Sequence, residues 1–391
     1  MANVSSSNGL EKYPKLRFKG FSEPWKTVRI GEVYAERSER GAEDMELLSV
    51  TMNDGVKMRS DIEGKDNSSE DKSNYKIVRA GDMVYNSMRM WQGANGISPW
   101  DGIVSPAYTV LKPRMPISNG FFAALFKTHR LINEFRKNSQ GMTSDTWNLK
   151  YPQIETIKTC IPALAEQEKI ADFLMALDQR IEKQRTLVEH LKKYKRGFLQ
   201  ASFSSQDDWN TYPISSLGKV VTGSTPPTDN PENYGGDKLF CAPSDVGTEK
   251  YISSTIKRVS EKGFHTGRIV PKGTIIVTCI GLIGKLGIAM QDMITNQQIN
   301  SLIVDDAFDN EFIYYALEFA LPRYAAQASM QTMPILSKSE FEKIALQIPN
   351  IKRQKEISKP LALLDDKIFA ESEILEKLTT LKNGLLQNLF I

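Results

Sequence analysis

Hydrophobic residues recur in alternating steps of three and four along two long segments of the chain. The steps run from Ile170 to Phe198 in the first segment and from Ile357 to Leu385 in the second, and seven of nine positions are apolar in each. This spacing is the 3.5-residue repeat of a coiled-coil seam. A helix over residues 163–203 would be about 60 Å long. Because a lone helix cannot bury such a stripe, the pattern predicts that two helices pack on each other.

The two segments are copies of one another. Residues 161–203 align with residues 348–390 at a constant offset of 187, and 15 of the 43 positions are identical. Both copies open with Ile-Pro and carry a glutamine five residues after the proline, at Gln167 and Gln354. The sequences that precede the copies differ strongly from one another. This order predicts two dissimilar binding bodies held at a fixed separation by two similar helices.

Polar residues within the stripes indicate how the helices pair. In a parallel pair in register, Lys195 would face Lys382 inside the seam, which is repulsive and costly to desolvate. In an antiparallel pair, Gln184 meets Glu371 and the lysines fall towards opposite ends, near solvent. The antiparallel arrangement is therefore predicted. The predicted seam comprises Leu177, Ile181, Gln184, Val188 and Leu191 in the first helix and Leu364, Ile368, Glu371, Leu375 and Leu378 in the second.

One proline distinguishes the second copy. Pro360 stands where the first copy has Phe173. Proline is tolerated in the first turn of a helix but disrupts a helix interior. The second helix is therefore predicted to be kinked or split at this residue.

Short β-runs between Gly and Pro turns, with one or two helices, characterise both bodies. Each opens with a tryptophan, Trp25 or Trp209, and each has a strand-like run with a glycine in a matching place, at Gly81 and Gly273. Such a pattern predicts a mixed α/β domain. The predicted fold class is α+β, with two globular mixed domains joined by two long helices that pack as an antiparallel coiled coil with pseudo-two-fold symmetry.

The predicted boundaries follow from these patterns and from the polar, Ser/Asn-rich start of the chain. They are a disordered lead-in at 1–20, a first recognition domain at 21–160, a central helix at 161–206, a second recognition domain at 207–347 and a C-terminal helix at 348–391.

Composition excludes some classes of protein. The net charge of +3 is mildly basic, which permits a polyanionic partner without requiring one. The three cysteines are far apart and form no Cys-x-x-Cys pair, which argues against a zinc site or a disulfide framework. The apolar run Thr274–Met290 is broken by glycines and a lysine, so it is not expected to span a membrane as a helix. We expect a cytoplasmic protein with no metal site and no membrane partner.

Catalytic motifs are not evident in the sequence. Gly281–Lys285 is too short for a phosphate-binding loop, and Asn230 is followed by Pro-Glu-Asn rather than by the two prolines and aromatic residue of amino-methyltransferases. A non-catalytic binding subunit is the preferred interpretation. Two alternatives remain: a self-contained DNA methyltransferase or nuclease, and a coiled-coil adaptor that binds only protein.

Polar residues in Gly-rich loops are candidates for nucleic-acid contact. Arginine can bind guanine in a bidentate manner, Asn and Gln can do so with adenine, and hydroxyl and backbone N–H groups suit phosphate oxygens. Ordinary turns whose polar side chains face water are the alternative for any single residue. The candidates are Asn86, Arg89, Trp91, Gln92, Gln140 and Thr143 in the first body and Ser224, Thr225, Lys285, Gln297 and Gln331 in the second.

The duplicated Ile-Pro-x-x-x-x-Gln opening, followed by a leucine-rich helix, resembles the conserved regions of specificity subunits of type I restriction-modification systems. Glu166 and Gln167 match the usual Glu-Gln pair, whereas the second copy has Arg353 before its glutamine. Residues 14–21, followed by Trp25, also resemble the start of many such subunits. The resemblance covers nearly the whole chain in the right order.

The resemblance implies two target recognition domains that each read one half of an asymmetric, bipartite site in double-stranded DNA. Half-sites about 10 bp apart are expected for two rigidly held heads. It also implies that the helices set the spacer and dock two modification (methyltransferase) subunits, to which restriction (motor and nuclease) subunits can add. S-adenosylmethionine, ATP and Mg would be used by those partners, and this chain would itself bind no cofactor.

Overall fold

The chain folds into two compact units. The computed structural model describes residues 13–41, 44–52, 55–64, 66, 68–204, 208–247, 249–328 and 335–391. One unit is formed by Met1–Lys183 with Leu375–Ile391, and the other by Gln184–Ile374. Each unit therefore contains one body and a portion of both long helices. Among the described residues, no helix combines the length and the apolar character needed to span a bilayer.

The first body is built on an antiparallel sheet of four strands in the order β2-β9-β6-β7, with three further two-stranded pairs, β1–β10, β3–β4 and β5–β8. The strands are β1 (Lys26–Arg29), β2 (Tyr34–Glu36), β3 (Leu48–Thr51), β4 (Gly55–Met58), β5 (Lys76–Val78), β6 (Met83–Asn86), β7 (Asn95–Ile97), β8 (Gly102–Val104), β9 (Tyr108–Pro113) and β10 (Lys158–Ile161). The helices are α1 (Ile30–Val33), α2 (Asn119–Leu125), α3 (His129–Asn138), α4 (Tyr151–Ile154) and the long α5 (Leu164–Phe203).

The second body contains a five-stranded sheet in the order β12-β20-β17-β18-β14, a four-stranded sheet in the order β15-β13-β19-β16, and the pair β11–β21. The strands are β11 (Asn210–Pro213), β12 (Gly218–Thr222), β13 (Tyr234–Cys241), β14 (Tyr251–Ile252), β15 (Lys257–Val259), β16 (Ile269–Val270), β17 (Ile275–Thr278), β18 (Leu286–Ala289), β19 (Met293–Thr295), β20 (Ile299–Val304) and β21 (Ala345–Ile348). The helices are α6 (Glu261–Thr266), α7 (Asn310–Ala328), α8 (Lys338–Lys343) and the long α9 (Ile351–Asn388).

The two bodies share one structural device despite their different sequences. The side chain of Asn119, the first residue of α2, donates to the carbonyl of Gly81 at 2.7 Å. The side chain of Asn310, the first residue of α7, donates to the carbonyl of Gly273 at 2.9 Å. Both glycines have positive φ, at 91° and 88°, which a residue with a Cβ rarely adopts. The matching glycines noted in the sequence therefore mark equivalent turns.

The repeated glutamine joins each long helix to its body. Gln167 Nε2 donates to the carbonyl of Pro162 at 2.9 Å, and its Oε1 accepts from the backbone N–H of Ser118 at 3.1 Å. Gln354 repeats the arrangement with Pro349 and Asp309, both at 2.8 Å. Ser118 and Asp309 each accept a hydrogen bond from the first turn of the body helix. The Ile-Pro-x-x-x-x-Gln pattern is thus a clamp between helix and body.

Residues 13–20 correct one prediction, because they are held against the first unit rather than disordered. The N–H of Leu16 donates to the carbonyl of Asn388 at 2.9 Å. Arg17 forms a two-pronged ion pair with Glu166, whose side chain is almost fully buried. Such a pair is strong because both oxygens of the carboxylate are satisfied. The remainder of the predicted lead-in, residues 1–12, lies outside the described residues.

The prediction of a split at Pro360 is wrong, since α9 runs through this proline without interruption. Ile357 and Leu361, on either side of it, are buried at 3% and 0% exposure in the core of the second unit. Burial of these two side chains is worth a few kcal/mol, which offsets the roughly 3 kcal/mol that an interior proline costs a helix. Packing therefore overrides the local preference.

The long helices are antiparallel, as predicted for the fold class. In the second unit, Gln184 bonds to Glu371 and Lys195 bonds to Asp365, so the residue number rises in one helix as it falls in the other. In the first unit, Lys382 bonds to Asp178 at 2.5 Å. The ten predicted seam residues are all buried or half-buried. The α+β architecture with an antiparallel helix pair is confirmed.

Candidate nucleic-acid interface

Three chain segments meet at one edge of the five-stranded sheet in the second body. Thr222, at the end of β12, pairs with Asn300 in β20, and Thr278, at the end of β17, pairs with Ile299. The segments after β12 and β17 and the segment before β20 therefore leave the sheet side by side. The candidate residues on these segments are Ser224, Thr225, Lys285 and Gln297, whereas Gln331 lies outside the described residues.

A hydrogen bond joins two of these segments. Thr225 Oγ1 donates to Gln297 Oε1 at 2.5 Å. The close approach needs a glycine at Gly223, because a Cβ there would lie 2.1 Å from the carbonyl oxygen of Asn296. Gln297 stays exposed. The pair can thus offer an oriented amide to a base edge or a phosphate.

Lys285 extends from an ordered hairpin between β17 and β18. The hydroxyl of Thr278 donates to the carbonyl of Leu282 and accepts from the N–H of Lys285 at 3.0 Å. The aliphatic part of the lysine lies against Gly247, where an added Cβ would meet it at 3.1 Å. The hairpin also contacts its neighbour, since the N–H of Cys279 donates to the carbonyl of Gln298 at 2.8 Å. The ammonium group is therefore carried by a fixed stem.

Arg268 belongs to this edge and was missed by the sequence reasoning. Its Nη1 donates to the carbonyl of Thr222 at 2.9 Å, and its N–H donates to Ser224 Oγ at 3.1 Å. The guanidinium is exposed. The available signal was its position as the first residue of the strand-like run 268–278. It is a further candidate for phosphate contact.

The first body presents the equivalent edge. Asn86, at the end of β6, pairs with Tyr108, at the start of β9, as Thr278 pairs with Ile299 in the second body. The segment after β6 leaves the sheet here. A second loop, 139–148, lies beside it because the N–H of Leu149 donates to the carbonyl of Ser87 at 2.8 Å.

Two tryptophans hold the loops of the first body together. Trp91 packs edge-to-face on Trp147, with ring centroids 5.2 Å apart. Its indole N–H donates to the carbonyl of Met88 at 3.0 Å. Trp91 is thus engaged within the protein, and its half-buried ring positions its neighbours. The sequence reasoning overlooked Trp147, although a second tryptophan at the end of the same polar loop was a usable signal.

The remaining candidates of the first body differ in accessibility. Arg89, Gln140 and Thr143 are exposed, and Gln92 is half-buried. The side-chain oxygen of Asn86 accepts from the N–H of Met88 at 3.0 Å, which closes a turn and engages this oxygen internally. The structure therefore brings the two loops together and leaves three of their polar side chains directed to solvent.

A polar cleft adjoins Arg89. Its volume is about 410 Å³, and its lining includes Arg59, Tyr75 and Tyr108. Arg59 is held in place by hydrogen bonds from its guanidinium to the carbonyls of Ile62 and Gly64. Arg89 and the half-buried Tyr108 can provide charge for phosphates and aromatic surface for sugars or bases, whereas Tyr75 is buried and Arg59 pairs with Asp66 in the same cleft. Arg59 was also missed, because nothing in its local sequence sets it apart.

Two buried cysteines lie at the edge of the second body. Burial raises the pKa of Cys241 to about 12 and that of Cys279 to about 11. A thiol that is protonated at neutral pH is a poor nucleophile. The edge therefore offers hydrogen-bond donors and positive charge rather than a reactive thiolate.

A family model described as the type I restriction modification DNA specificity domain matches residues 22–190 and again residues 206–380. The chain belongs to this family. Each match covers one body and most of the helix that follows it, so the family model finds the same duplication as the sequence. The protein is a specificity subunit of a type I restriction-modification system.

Curated specificity subunits include two informative relatives. The type I restriction enzyme HindI specificity subunit of Haemophilus influenzae is 30% identical over 399 residues, covering 80% of this chain and 86% of that one. The type I restriction enzyme MjaIX specificity subunit of Methanocaldococcus jannaschii is 33% identical over 193 residues. That second match spans 47% of this chain and less than half, 44%, of the archaeal subunit.

Solved structures of specificity subunits share the fold. The type I restriction-modification S subunit from M. genitalium superposes with a TM-score of 0.65 at 16% identity, covering 97% of this chain and 99% of that one. A chain from a structure of a type I R-M system, described in terms of complex assembly and conformational transition, gives a TM-score of 0.57 at 17% identity and covers 94% and 97%. At these identities the likeness concerns the fold alone.

A repeated apolar face lies on the outside of the helices of this specificity subunit. Leu187 and Tyr194 in α5 are 38% and 62% exposed. Ile374 and Leu381, their counterparts in α9 at the offset of 187, are 40% and 52% exposed. Large exposed apolar side chains therefore occupy matching places in both copies.

Lys195 occupies an ionic network and corrects another prediction, since it does not lie near solvent. Its ammonium bonds to Glu318 of α7 at 2.9 Å and to Asp365 at 2.7 Å, and its side chain is 12% exposed. Burial acts to lower the pKa of Lys195, but the two carboxylates outweigh it and hold the pKa above its ordinary value. Burial raises the pKa of Glu318, an effect that Lys195 opposes. The body covers the lysine because α7 supplies an acid at this point.

Proposed function

We propose that each body of this subunit reads one half of an asymmetric, bipartite sequence in double-stranded DNA, and that the helix pair sets the spacer between the half-sites. One observation carries the proposal. The same sheet edge carries polar loops in both bodies, and these loops differ in sequence, whereas the helices repeat. Different half-sites read at a constant distance are the expected consequence.

The chemistry of the loops supports DNA as the ligand. Arg89, Arg268 and Lys285 place positive charge at the two edges, and Gln140 and Gln297 add exposed amides. Cationic groups neutralise phosphates, while guanidinium and amide groups discriminate bases in the major groove. Affinity should therefore fall steeply with salt, and it should depend on sequence at both half-sites.

We further propose that the repeated apolar face docks two modification subunits in the cytoplasm. Gly197 and Gly384 support this assignment: they occupy matching places in α5 and α9, and an added Cβ at either would meet nothing within 4 Å. A glycine inside a helix costs about 1 kcal/mol relative to alanine. Two such residues without an internal reason fit the close approach of a partner helix.

Methylation and cleavage would then be performed by partners. S-adenosylmethionine would be bound by the modification subunits, and ATP and Mg by restriction subunits that join the complex. The role of this chain would be to bind, orient and space, without catalysis of its own. Incubation of the purified chain with labelled S-adenosylmethionine and DNA should transfer no label, whereas addition of the modification subunits should restore transfer.

Methylation mapping in cells tests the whole proposal. Deletion of the gene should remove one bipartite adenine-methylation motif from the genome and leave all other motifs intact. Complementation with the wild-type gene should restore the same motif. A methylation pattern that is indifferent to the deletion, in cells that express the modification subunits, would refute the proposed function.

A further inference from the structure

The two units use equivalent helix faces differently. In the second unit, α7 directs Tyr315 and Glu318 at the helix pair: the Tyr315 hydroxyl donates to Asp365 at 2.6 Å, and Glu318 accepts from Lys195 at 2.9 Å. Tyr315 is fully buried. These side chains fill the space between the body helix and the long helices.

The first unit has the same two charged residues on its long helices, but its body helix lacks the large side chains that fill this space in the second unit. Asp178 and Lys382, the counterparts of Asp365 and Lys195 at the offset of 187, again bond to each other, at 2.5 Å. Counting from the equivalent first residues Asn119 and Asn310, the place of Tyr315 is taken by Ala124. In the same count, Tyr314 is matched by an alanine and Glu318 by a lysine.

A cavity of about 290 Å³ results. Its lining includes Ala123, Ala124, Leu174, Met175, Asp178 and Lys382. Asp178 is 51% exposed, against 16% for Asp365 in the filled counterpart. The volume is at the lower limit of the roughly 300–1,000 Å³ of small-molecule pockets and is sufficient for one large side chain.

We infer that this cavity accepts a tyrosine presented by a modification subunit, with its hydroxyl on Asp178 and an acidic neighbour near Lys382. The inference rests on the proposed function, because the partner is the one proposed to dock on the helices. The second unit shows which side chains fit against such an Asp–Lys pair, since Tyr315 and Glu318 contact the equivalent pair there. The cavity also adjoins the proposed docking face: Met175 on its rim is 55% exposed, and Leu381 precedes Lys382.

One consequence is that the two partner positions are not equivalent. The second unit is filled by its own residues and offers no such acceptor, whereas the first unit does. Buried tyrosines are frequent hot spots of protein interfaces because they combine a large apolar area with one directional hydroxyl. One of the two modification subunits should therefore gain an anchor that the other lacks.

Filling the cavity from within provides the test. The variant Ala124→Tyr reproduces the second unit, and Asp178→Asn removes the negative charge from the acceptor of the tyrosine hydroxyl at a half-exposed position. Matched controls are Ala307→Tyr and Asp172→Asn, which alter exposed positions outside the cavity. Native mass spectrometry and titration with purified modification subunits measure how many bind and how tightly.

Both cavity variants should bind one modification subunit as the wild type does and the other at least 10-fold more weakly, while both controls match the wild type. A photo-crosslinker at Met175 should capture a tyrosine-bearing segment of the modification subunit. Wild-type binding of both partners by Ala124→Tyr and Asp178→Asn would overturn the inference and leave the cavity to solvent. If the wild-type chain itself binds no modification subunit, the proposed function fails, which is a different result.

Discussion

Gln184 donates a hydrogen bond from Nε2 to Glu371 Oε2 at 2.6 Å, and the two residues are separated by 187 positions. This separation equals the offset of the internal repeat, so a residue bonds to its own counterpart in the other copy. Equivalent positions of two antiparallel copies can meet only at the centre of the pair. The bond therefore marks the register of the helices, and it is the kind of buried polar contact that specifies alignment at some cost in stability.

Replacement of one or both members of this polar pair should show how much stability is lost when one partner is left unpaired. Gln184→Leu leaves the Glu371 carboxylate without its donor and should lower the free energy of unfolding by about 1–3 kcal/mol. The double variant Gln184→Leu/Glu371→Leu should recover most of that loss, because two apolar side chains can then face each other. Chemical denaturation of the single and double variants provides the measurement. Equal destabilisation by both would contradict the assignment of the loss to the unpaired carboxylate.

The two equivalent lysines should differ in their importance for stability. Lys195→Met leaves Glu318 and Asp365 without their shared cation in a mostly buried site, and a loss of about 3 kcal/mol is expected. Lys382→Met removes a more exposed pair with Asp178 and should cost about 1 kcal/mol or less. Denaturant midpoints of the two variants, measured under the same conditions, compare the two losses of stability. A larger loss of stability for Lys382→Met than for Lys195→Met would show that the second body does not cover Lys195 in solution.

The same network predicts loss of stability at alkaline pH. The pKa of Lys195 in the folded protein stands above its ordinary value of 10.5. Its contribution is therefore complete below that value and declines as the pH rises through the folded pKa. The difference in thermal midpoint between the wild type and Lys195→Met should be constant between pH 7 and 9 and should shrink above about pH 10.5. An increasing difference would contradict the assigned direction.

Single substitutions at the two sheet edges should affect different half-sites. Arg89→Ala, in the first body, should weaken discrimination at one half-site by about 1–3 kcal/mol. Lys285→Ala, in the second body, should lower affinity for all sequences and reduce the salt slope by about one. Fluorescence anisotropy of the complex with modification subunits, on duplexes with either half-site scrambled, measures both effects. Identical profiles for the two variants would argue against a division of reading between the bodies.

Lengthening the helix pair should alter the spacer alone. Insertion of seven residues beside Gln184 and seven beside Glu371 keeps the 3.5-residue seam in phase and adds about 10 Å. At about 3.4 Å per base pair, the methylated motif should gain roughly three unread positions. Methylation mapping in cells that carry the variant detects the change. New half-site sequences with an unchanged spacer would refute the assignment of reading to the bodies.

The helices were predictable because their evidence is local and repeated. Seven-residue periodicity places Ile181 and Val188 on one stripe, and a polar residue in each stripe is enough to choose the antiparallel alignment. Equivalent turns could also be anticipated from Gly81 and Gly273, because positive φ restricts a position to glycine whatever surrounds it.

The candidate interface was only partly predictable. Runs rich in polar residues and glycine led to Arg89, Gln297 and Lys285, all of which lie on loops at the sheet edges. Arg59 and Arg268 were missed because their places beside the cleft and beside Thr222 depend on which strands become neighbours. Trp91 was assigned to the ligand, but its position is explained by Trp147, 56 residues later.

The sequence by itself determined the duplicated helices, their antiparallel pairing and the division into two unlike bodies, since periodicity and internal repetition report these features directly. Only the tertiary structure decided that Pro360 remains inside a helix, that Lys195 is covered by Glu318, and that the repeated glutamines clamp the bodies. Each of these depends on contacts between residues far apart in the chain, whose free energy exceeds the local preferences that a sequence pattern can express.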